Sequence, residues 1–271
     1  MEDTLSIIIS TYNSEKWLQK VLWGYNVQTY KQFEIIIADD GSTPATKQLI
    51  NEIKKDVFYN IQHVWHEDNG FQKCKILNKA IRACNFDYIL MTDGDCIPRK
   101  DFVQVHYVNR KKGFFLSGGY SKLPLSISEQ ITQKDIEAQN CFDIKWLKQN
   151  GLPKKFKKKK LIADAEKAAF SNKITTTKAS WNGHNSSGWK KDILAVNGFD
   201  ERMQYGGEDR EMGHRLFFRG IKGIQIRYSA VCVHLDHERS YKNDAIIAIN
   251  KKIRKETKFT KSIWTPYGIM K

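Results

Sequence analysis

The feature that most constrains this chain is the regular alternation of short apolar runs and amphipathic helical patterns across its first hundred residues, in the order β, α, β, α, β, α, β. The runs Leu5 to Ile9, Phe33 to Ala38, Ile61 to Trp65 and Tyr88 to Met91 are dominated by β-branched and aliphatic residues. Strands of this kind are buried on both faces, as in a parallel sheet covered by helices. Between them the pattern predicts helices from about Glu15, with Ser14 as cap, from Pro44, with Thr43 as cap, and over Lys73 to Cys84. The expected fold is therefore α/β, with a Rossmann-like, mostly parallel sheet. In such sheets ligands bind beyond the carboxyl ends of the strands. Three polar clusters fall there: Ser10-Thr11-Tyr12-Asn13, Asp39-Asp40-Gly41-Ser42 and Thr92-Asp93-Gly94-Asp95. Any one of them alone reads equally well as a turn, since Asp, Asn, Gly and Ser are ordinary turn formers.

The second half is less regular. It predicts a strand at Phe114 to Ser117, a long polar helical region from about Glu129 to Gln149, and a lysine run from Lys154 to Lys160. A helix opening at Glu208, a strand around Ala230 to His234 and a basic helix from about Asn243 follow. At 271 residues the chain suits one compact unit made of two halves, residues 1–112 binding a nucleotide and residues 113–271 binding a second substrate.

Each cluster has a chemical reading beside the structural one. Asp93 and Asp95, two residues apart at a strand exit, suit a hard divalent cation. Oxygen ligands favour Mg2+ or Mn2+, and an added imidazole tilts the choice to Mn2+. Asp40 can accept a hydrogen bond from a ring N–H of a base and Tyr12 can pack on that ring, although both Asp39 and Asp40 also suit capping. Lys75 can reach a base or phosphate, or can be an exposed helical lysine. Either His234 or His237 can be a metal ligand. His184 and Asn185 can line a sugar pocket or only shape a loop, and Trp181 and Trp189 can stack on a sugar ring or fill the core. His214 reads as structural.

The segments STYN, ADDGS, HEDNGFQKCKILNKAI and MTDGDCIPRKDF together resemble the nucleotide-binding half of the family 2 inverting glycosyltransferases, which have the GT-A fold. NGFDERMQYGGEDREMGHRLFFRG resembles the acceptor half of β-galactosyltransferases and of bacterial chondroitin-type polymerase domains. The resemblance implies transfer of a hexose, galactose or N-acetylgalactosamine, from a UDP-sugar to a carbohydrate or lipid-linked acceptor in surface-polysaccharide assembly. It also implies that Ser10, Tyr12 and Asp40 hold the uridine, that Asp93 and Asp95 form the acidic metal motif with Asp95 the direct ligand, and that His234 completes the metal site. Asp209 would be the general base, a role a carboxylate at a helix start can fill, and Glu208 would hold an acceptor hydroxyl. A single Asp-x-Asp and a single GGED make one transferase module, unlike polymerases that join two. The competing readings are a sugar nucleotidyltransferase, disfavoured because STYNSEKW lacks a Gly-rich phosphate loop, and a non-catalytic UDP-sugar-binding module.

Charge bears on partners. With 45 Lys and Arg against 30 Asp and Glu, the net charge is +15, which draws the chain to polyanions. Lys154 to Lys160 reads as a solvated face or as a peripheral contact with anionic membrane, worth about 1 kcal/mol per nearby lysine. No aromatic-basic motif for nucleic acid is present. Five cysteines without metal-type spacing suggest reduced thiols in the cytoplasm, and the N-terminus lacks the pattern of a signal peptide.

Overall fold

A computed structural model describes residues 3–162, 164–237 and 243–270. Ten strands are present among them: β1 (Leu5–Thr11), β2 (Phe33–Asp39), β3 (Asn60–Trp65), β4 (Tyr88–Asp93), β5 (Cys96–Pro98), β6 (Phe114–Ser117), β7 (Gly119–Lys122), β8 (Ser186–Trp189), β9 (Lys222–Gln225) and β10 (Val231–His234). Seven form one sheet in the order β3-β2-β1-β4-β8-β6-β9, and β5-β10-β7 form a second. Strands β3, β2, β1 and β4 are parallel, and β8 is antiparallel to both β4 and β6. The sheet grows outward from β1 to β2 and β3, then returns to β4 on the other side of β1. The switch point of the topology, where ligands bind in open α/β sheets, therefore lies at the carboxyl ends of β1 and β4.

Every residue of β2 is buried, as a run of FEIIIAD covered on both faces requires. One layer of the core, including Leu18, Leu22, Ile127 and Leu147, packs helices Glu15–Asn26, Leu125–Gln130 and Ile144–Gln149 on one side of the sheet. On the other, Ile76, Ile81, Met212 and Leu216 bring helices Lys73–Ala83 and Glu208–Phe218 together. Because β8 lies between β4 and β6, residues before and after position 112 share one sheet.

The expected helix over residues 129–149 is instead broken into Leu125–Gln130, Gln133–Glu137, a short 3-10 turn and Ile144–Gln149. Local side-chain bonds stop it: Thr132 and Asp135 make a reciprocal capping box, and Asp143 accepts from the amides of Lys145 and Trp146. Ser14 and Thr43 stand at the expected helix starts, but neither side chain bonds its helix. The loop between is tied differently, with Asp39 Oδ1 accepting from Ser42 N and Asn13 Oδ1 from Thr43 N. No helix among the described residues is long and apolar enough to cross a membrane.

Candidate active site

The parallel register of β1 and β4 sets Ser10 beside Asp93 at the switch point. Ser10 Oγ donates to Asp93 Oδ1 at 2.8 Å, and Lys73 Nζ, from the first turn of its helix, donates to the same oxygen at 2.6 Å. Burial opposes the charge on Asp93, but the Lys73 ammonium outweighs it and holds the carboxyl well below the usual carboxylate range. Burial likewise opposes the charge on Lys73, and Asp93, Glu208 and Asp209 together raise it above an ordinary lysine. Gly94 turns the chain past Asp93: its amide donates to Ser10 O at 2.8 Å, and a Cβ there would lie 2.9 Å from that oxygen, so the close approach requires glycine.

Asp95 stands where the two sheets meet. Antiparallel pairing of β5 with β10 places Cys96 opposite His234, and Leu235 N donates to Asp95 O at 2.8 Å. Asp95 Oδ2 then lies 2.8 Å from His237 Nε2 and 3.4 Å from His234 Nε2. The two imidazoles stack in nearly parallel planes, 6.0 Å between centroids. Ligand atoms of Asp95, His234 and His237 fall within 4.8 Å of one another, and so do those of Asp93, Asp95 and Cys96. The Cys96 thiol is pushed well above its usual range by burial, which keeps it neutral and a poor ligand. His234 Nδ1 sits 2.7 Å from Leu235 O; bonding there as a donor leaves Nε2 with its lone pair toward Asp95, the arrangement a metal-ligating histidine adopts. One carboxylate and two imidazoles fit a divalent transition-metal cation.

At the opposite end of the switch point, Tyr12 exposes 48% of its surface and donates to Asp68 Oδ2 at 3.0 Å, leaving its ring open to stacking. Asp40 is buried behind it, with Oδ1 2.8 Å from His66 Nε2 and Oδ2 accepting from Gln72 N at 2.9 Å. Burial raises its carboxyl above the usual value, against the pull of those two bonds. Gly41, at φ +96°, makes the turn beside it; a Cβ would meet Asp68 Cα at 2.6 Å.

The GGED segment supplies the third wall. Gly206 and Gly207 take positive φ, and Gly207 caps the helix that begins with Glu208. Asp209 Oδ2 accepts from Gly183 N at 3.1 Å and Oδ1 from Arg210 N at 2.6 Å, while Glu208 Oε2 accepts from Gly206 N at 2.9 Å. Burial, and then the Asp209 charge, push Glu208 up to about 7; burial also raises Asp209. The helix is anchored beneath by the fully buried pair of Glu211 and Arg215, whose Nη2 also donates to Gly198 O at 2.7 Å. Gly183 closes the ring: a Cβ on it would stand 3.6 Å from Lys73 Nζ and 3.8 Å from Asp93 Oδ1. Asp93, Lys73, Gly183, Glu208 and Asp209 thus form one connected cluster, and Asp95 adjoins it through Asp93.

Four expected residues fare differently. Trp181 offers no face to a sugar, because it is fully buried with its ring against Phe115 and closely packed on Gly188 and Gly213. Asn185 is also fully buried; its amide donates to Gly119 O and Ala230 O, and its Oδ1 lies 2.8 Å from His106 Nε2. It ties the second sheet to β8 rather than lining a pocket. Lys75 is partly exposed, and the lysine that meets the carboxylates is Lys73, since side chains two apart on a helix face different ways. His184 does lie at the site: its ring packs edge-on against Tyr120 at 4.5 Å, and burial pushes it down to about 4 despite the nearby Asp93. The side chains that sequence reasoning passed over are Lys73 and Tyr120; the phase of helix Lys73–Ala83 was the signal available for the first.

A Rossmann-like sheet carrying an acidic motif at its switch point, with a second carboxylate pair facing it from a later helix, is an arrangement of the GT-A fold. Residues 6–112 match Glycosyl transferase family 2, and residues 167–238 match the N-terminal domain of galactosyltransferase. The chain thus carries a family 2 glycosyltransferase domain followed by a galactosyltransferase-type segment. It is 27% identical over 248 residues to the chondroitin synthase of Escherichia coli, covering 82% of this chain and 34% of that one. This chain therefore spans about a third of that relative's length. Among solved structures it resembles a mannosyltransferase from Pyrobaculum calidifontis in complex with GDP-Man and Mn2+, at TM-score 0.56 and 18% identity over 88% of this chain and 58% of that one. It also resembles S. aureus TarS 1-349 in complex with UDP-GlcNAc, at TM-score 0.57 and 14% identity over 88% and 60%. These two likenesses concern the fold.

Proposed function

We propose that the chain transfers a hexose, galactose or N-acetylgalactosamine, from a UDP-sugar to a carbohydrate or lipid-linked acceptor with inversion at the anomeric carbon, in surface-polysaccharide assembly. The observation that carries this reading is the convergence of two acid sets on one switch point: Asp95 with His234 and His237, and Glu208 with Asp209. Tyr12 and Asp40 would take the uracil, the first by stacking and the second as acceptor of its N3–H. Asp95, His234 and His237 would hold Mn2+ or Mg2+, with Asp93 beside them. When bound, that cation would supply positive charge against the diphosphate of the leaving group.

Asp209 takes the proton from the acceptor hydroxyl as it attacks from the face opposite UDP. Two backbone amides fix its oxygens, and Lys73 favours its ionised form. Glu208, pushed up to about 7 and so about half protonated at neutral pH, can donate a hydrogen bond to an acceptor oxygen. Ser10 and Lys73 hold Asp93 ionised and in place. The E. coli relative is a chondroitin synthase and two solved neighbours hold sugar nucleotides, which supports a sugar nucleotide as donor. The five cysteines are free and buried, in keeping with the cytoplasm, and the exposed lysines 154, 155 and 158 would meet the inner membrane face. Hydrolysis of a panel of UDP-sugars with Mn2+, with and without EDTA, tests the proposal. One or two UDP-hexoses should be consumed in a metal-dependent way; turnover of none, or full turnover in EDTA, would contradict it.

A further inference from the structure

The end of the lysine run does not extend into solvent. Lys160 is drawn against β7, where its Nζ donates to Tyr120 O at 2.5 Å and sits 5.4 Å from the centroid of the Tyr120 ring. The same ring packs on His184 at 4.5 Å and on the metal-facing His234 at 5.5 Å. Lys159 lies 5.2 Å over Tyr228, and the Arg227 guanidinium approaches that ring at 5.8 Å.

Arg227 lies against the same strand, β7, its Cβ 3.0 Å from where a Cβ on Gly119 would stand, so Lys160 and Arg227 gather beside the active-site wall, with Lys157 three residues before Lys160 in the lysine run. Burial, and then the neighbouring Arg227 and Lys157, push the Lys160 ammonium down to about 8. Arg227 Nε is buried with no hydrogen-bond partner. Among the described residues none of these three cations pairs with a carboxylate, whereas nearby Lys122 pairs with Asp236 at 2.8 Å. Like charges gathered in a partly buried site without a counter-ion repel one another and lose hydration. Such a set is stabilised by an anion with several acceptor oxygens, which an arginine fork and an ammonium can share.

We propose that Lys160 and Arg227, with Lys157 at the rim, form a subsite for an acidic group, a carboxylate or a phosphate, on the carbohydrate acceptor. The inference rests on the transferase reading above and narrows its acceptor to acidic carbohydrate. The donor diphosphate is the other anion of that reaction. It would have its own counter-charges in Lys73 and in the cation at Asp95, His234 and His237; Lys160 itself packs on the Tyr120 ring.

The test is binding rather than turnover. Calorimetry in the presence of UDP and Mn2+ would compare a disaccharide ending in a hexuronic acid, its carboxyl-reduced neutral counterpart, and a glycosyl phosphate. Wild-type protein should bind at least one acidic probe tenfold or more tightly than the neutral one, with a preference that falls as salt is added. Lys160→Gln and Arg227→Gln should remove most of that preference and leave the affinity for UDP with Mn2+ unchanged. Lys157 is exposed, so Lys157→Gln keeps the fold and should reduce the preference by a smaller factor. Whichever acidic probe is preferred identifies the group as carboxylate or phosphate. Equal binding of acidic and neutral probes by the wild type would overturn the proposal. Variants that lose UDP affinity instead of acceptor discrimination would overturn it too, by assigning the cluster to the donor. Failure of the wild type to bind UDP at all would count against the transferase reading, while the acid preference would still be measurable.

Discussion

Replacing Glu208 by Gln should stabilise the protein, and only above a defined pH. In the folded state burial and the Asp209 charge push this carboxyl from 4.5 to about 7, so folding favours the protonated form. The stability this group contributes is complete below its unfolded value near 4.5 and is lost as pH rises through the folded value near 7. The full shift would correspond to about 3 kcal/mol at pH 8 and above. Glu208 keeps part of its surface open to solvent and shares its charge balance with Asp209 and Lys73, so screening and coupling reduce the expected gain to about 1–2 kcal/mol. Glutamine keeps the size of the side chain and retains an acceptor for Gly206 N, which isolates the charge. For a chain of this size that gain corresponds to roughly 2–8 °C in melting temperature. Thermal denaturation in EDTA, without nucleotide, should show the Gln variant melting above wild type at pH 8 and level with it at pH 4. A difference that is the same at both pH values, or a variant less stable at pH 8, would refute the argument.

Lys73→Met removes the ammonium shared by Asp93, Glu208 and Asp209; it should cost about 3–5 kcal/mol at pH 7.5 and less at pH 5, where carboxylates can protonate. Urea denaturation at the two pH values checks this, and a cost that does not change with pH would contradict the assignment. His237→Ala should weaken Mn2+ binding tenfold or more with little effect on the melting temperature of the metal-free protein, whereas unchanged affinity would exclude His237 as a ligand. Asn185→Leu should destabilise by about 3 kcal/mol, because Gly119 O and Ala230 O would lose buried donors; a neutral effect in urea denaturation would show that water replaces them.

The strands that were legible in the sequence are those buried on both faces. The runs in β1 to β4 are apolar enough to be read without context, and their polar termini fall at the switch point because parallel strands end on the same edge. What escaped is polar or glycine-rich. Strand β8, Ser186–Trp189, carries only Trp189 as an apolar residue, yet it pairs with β4 and β6 inside the sheet, where Tyr88 Oη and His106 Nδ1 both bond the Ser187 hydroxyl at 2.8 and 2.7 Å. Nothing in the local pattern of residues 186–189 announces partners about 80 and 100 positions away. Resemblance linked Asp95 with His234, whereas His237, just beyond the end of β10, also comes to the same carboxylate oxygen. Trp181 carried the wrong expectation for a general reason: a tryptophan in a polar segment looks like a stacking platform, while its burial depends on residues such as Gly188 and Gly213 that make room for it.

The most direct measurement separates binding from chemistry at Asp209. With Mn2+ present, Asp209→Asn should bind UDP within a few-fold of wild type, while transfer from the preferred UDP-sugar falls by a factor of a hundred or more, in line with loss of general-base catalysis. A variant that still transfers sugar at the wild-type rate would contradict the account, as would one whose lost activity is fully explained by lost UDP affinity.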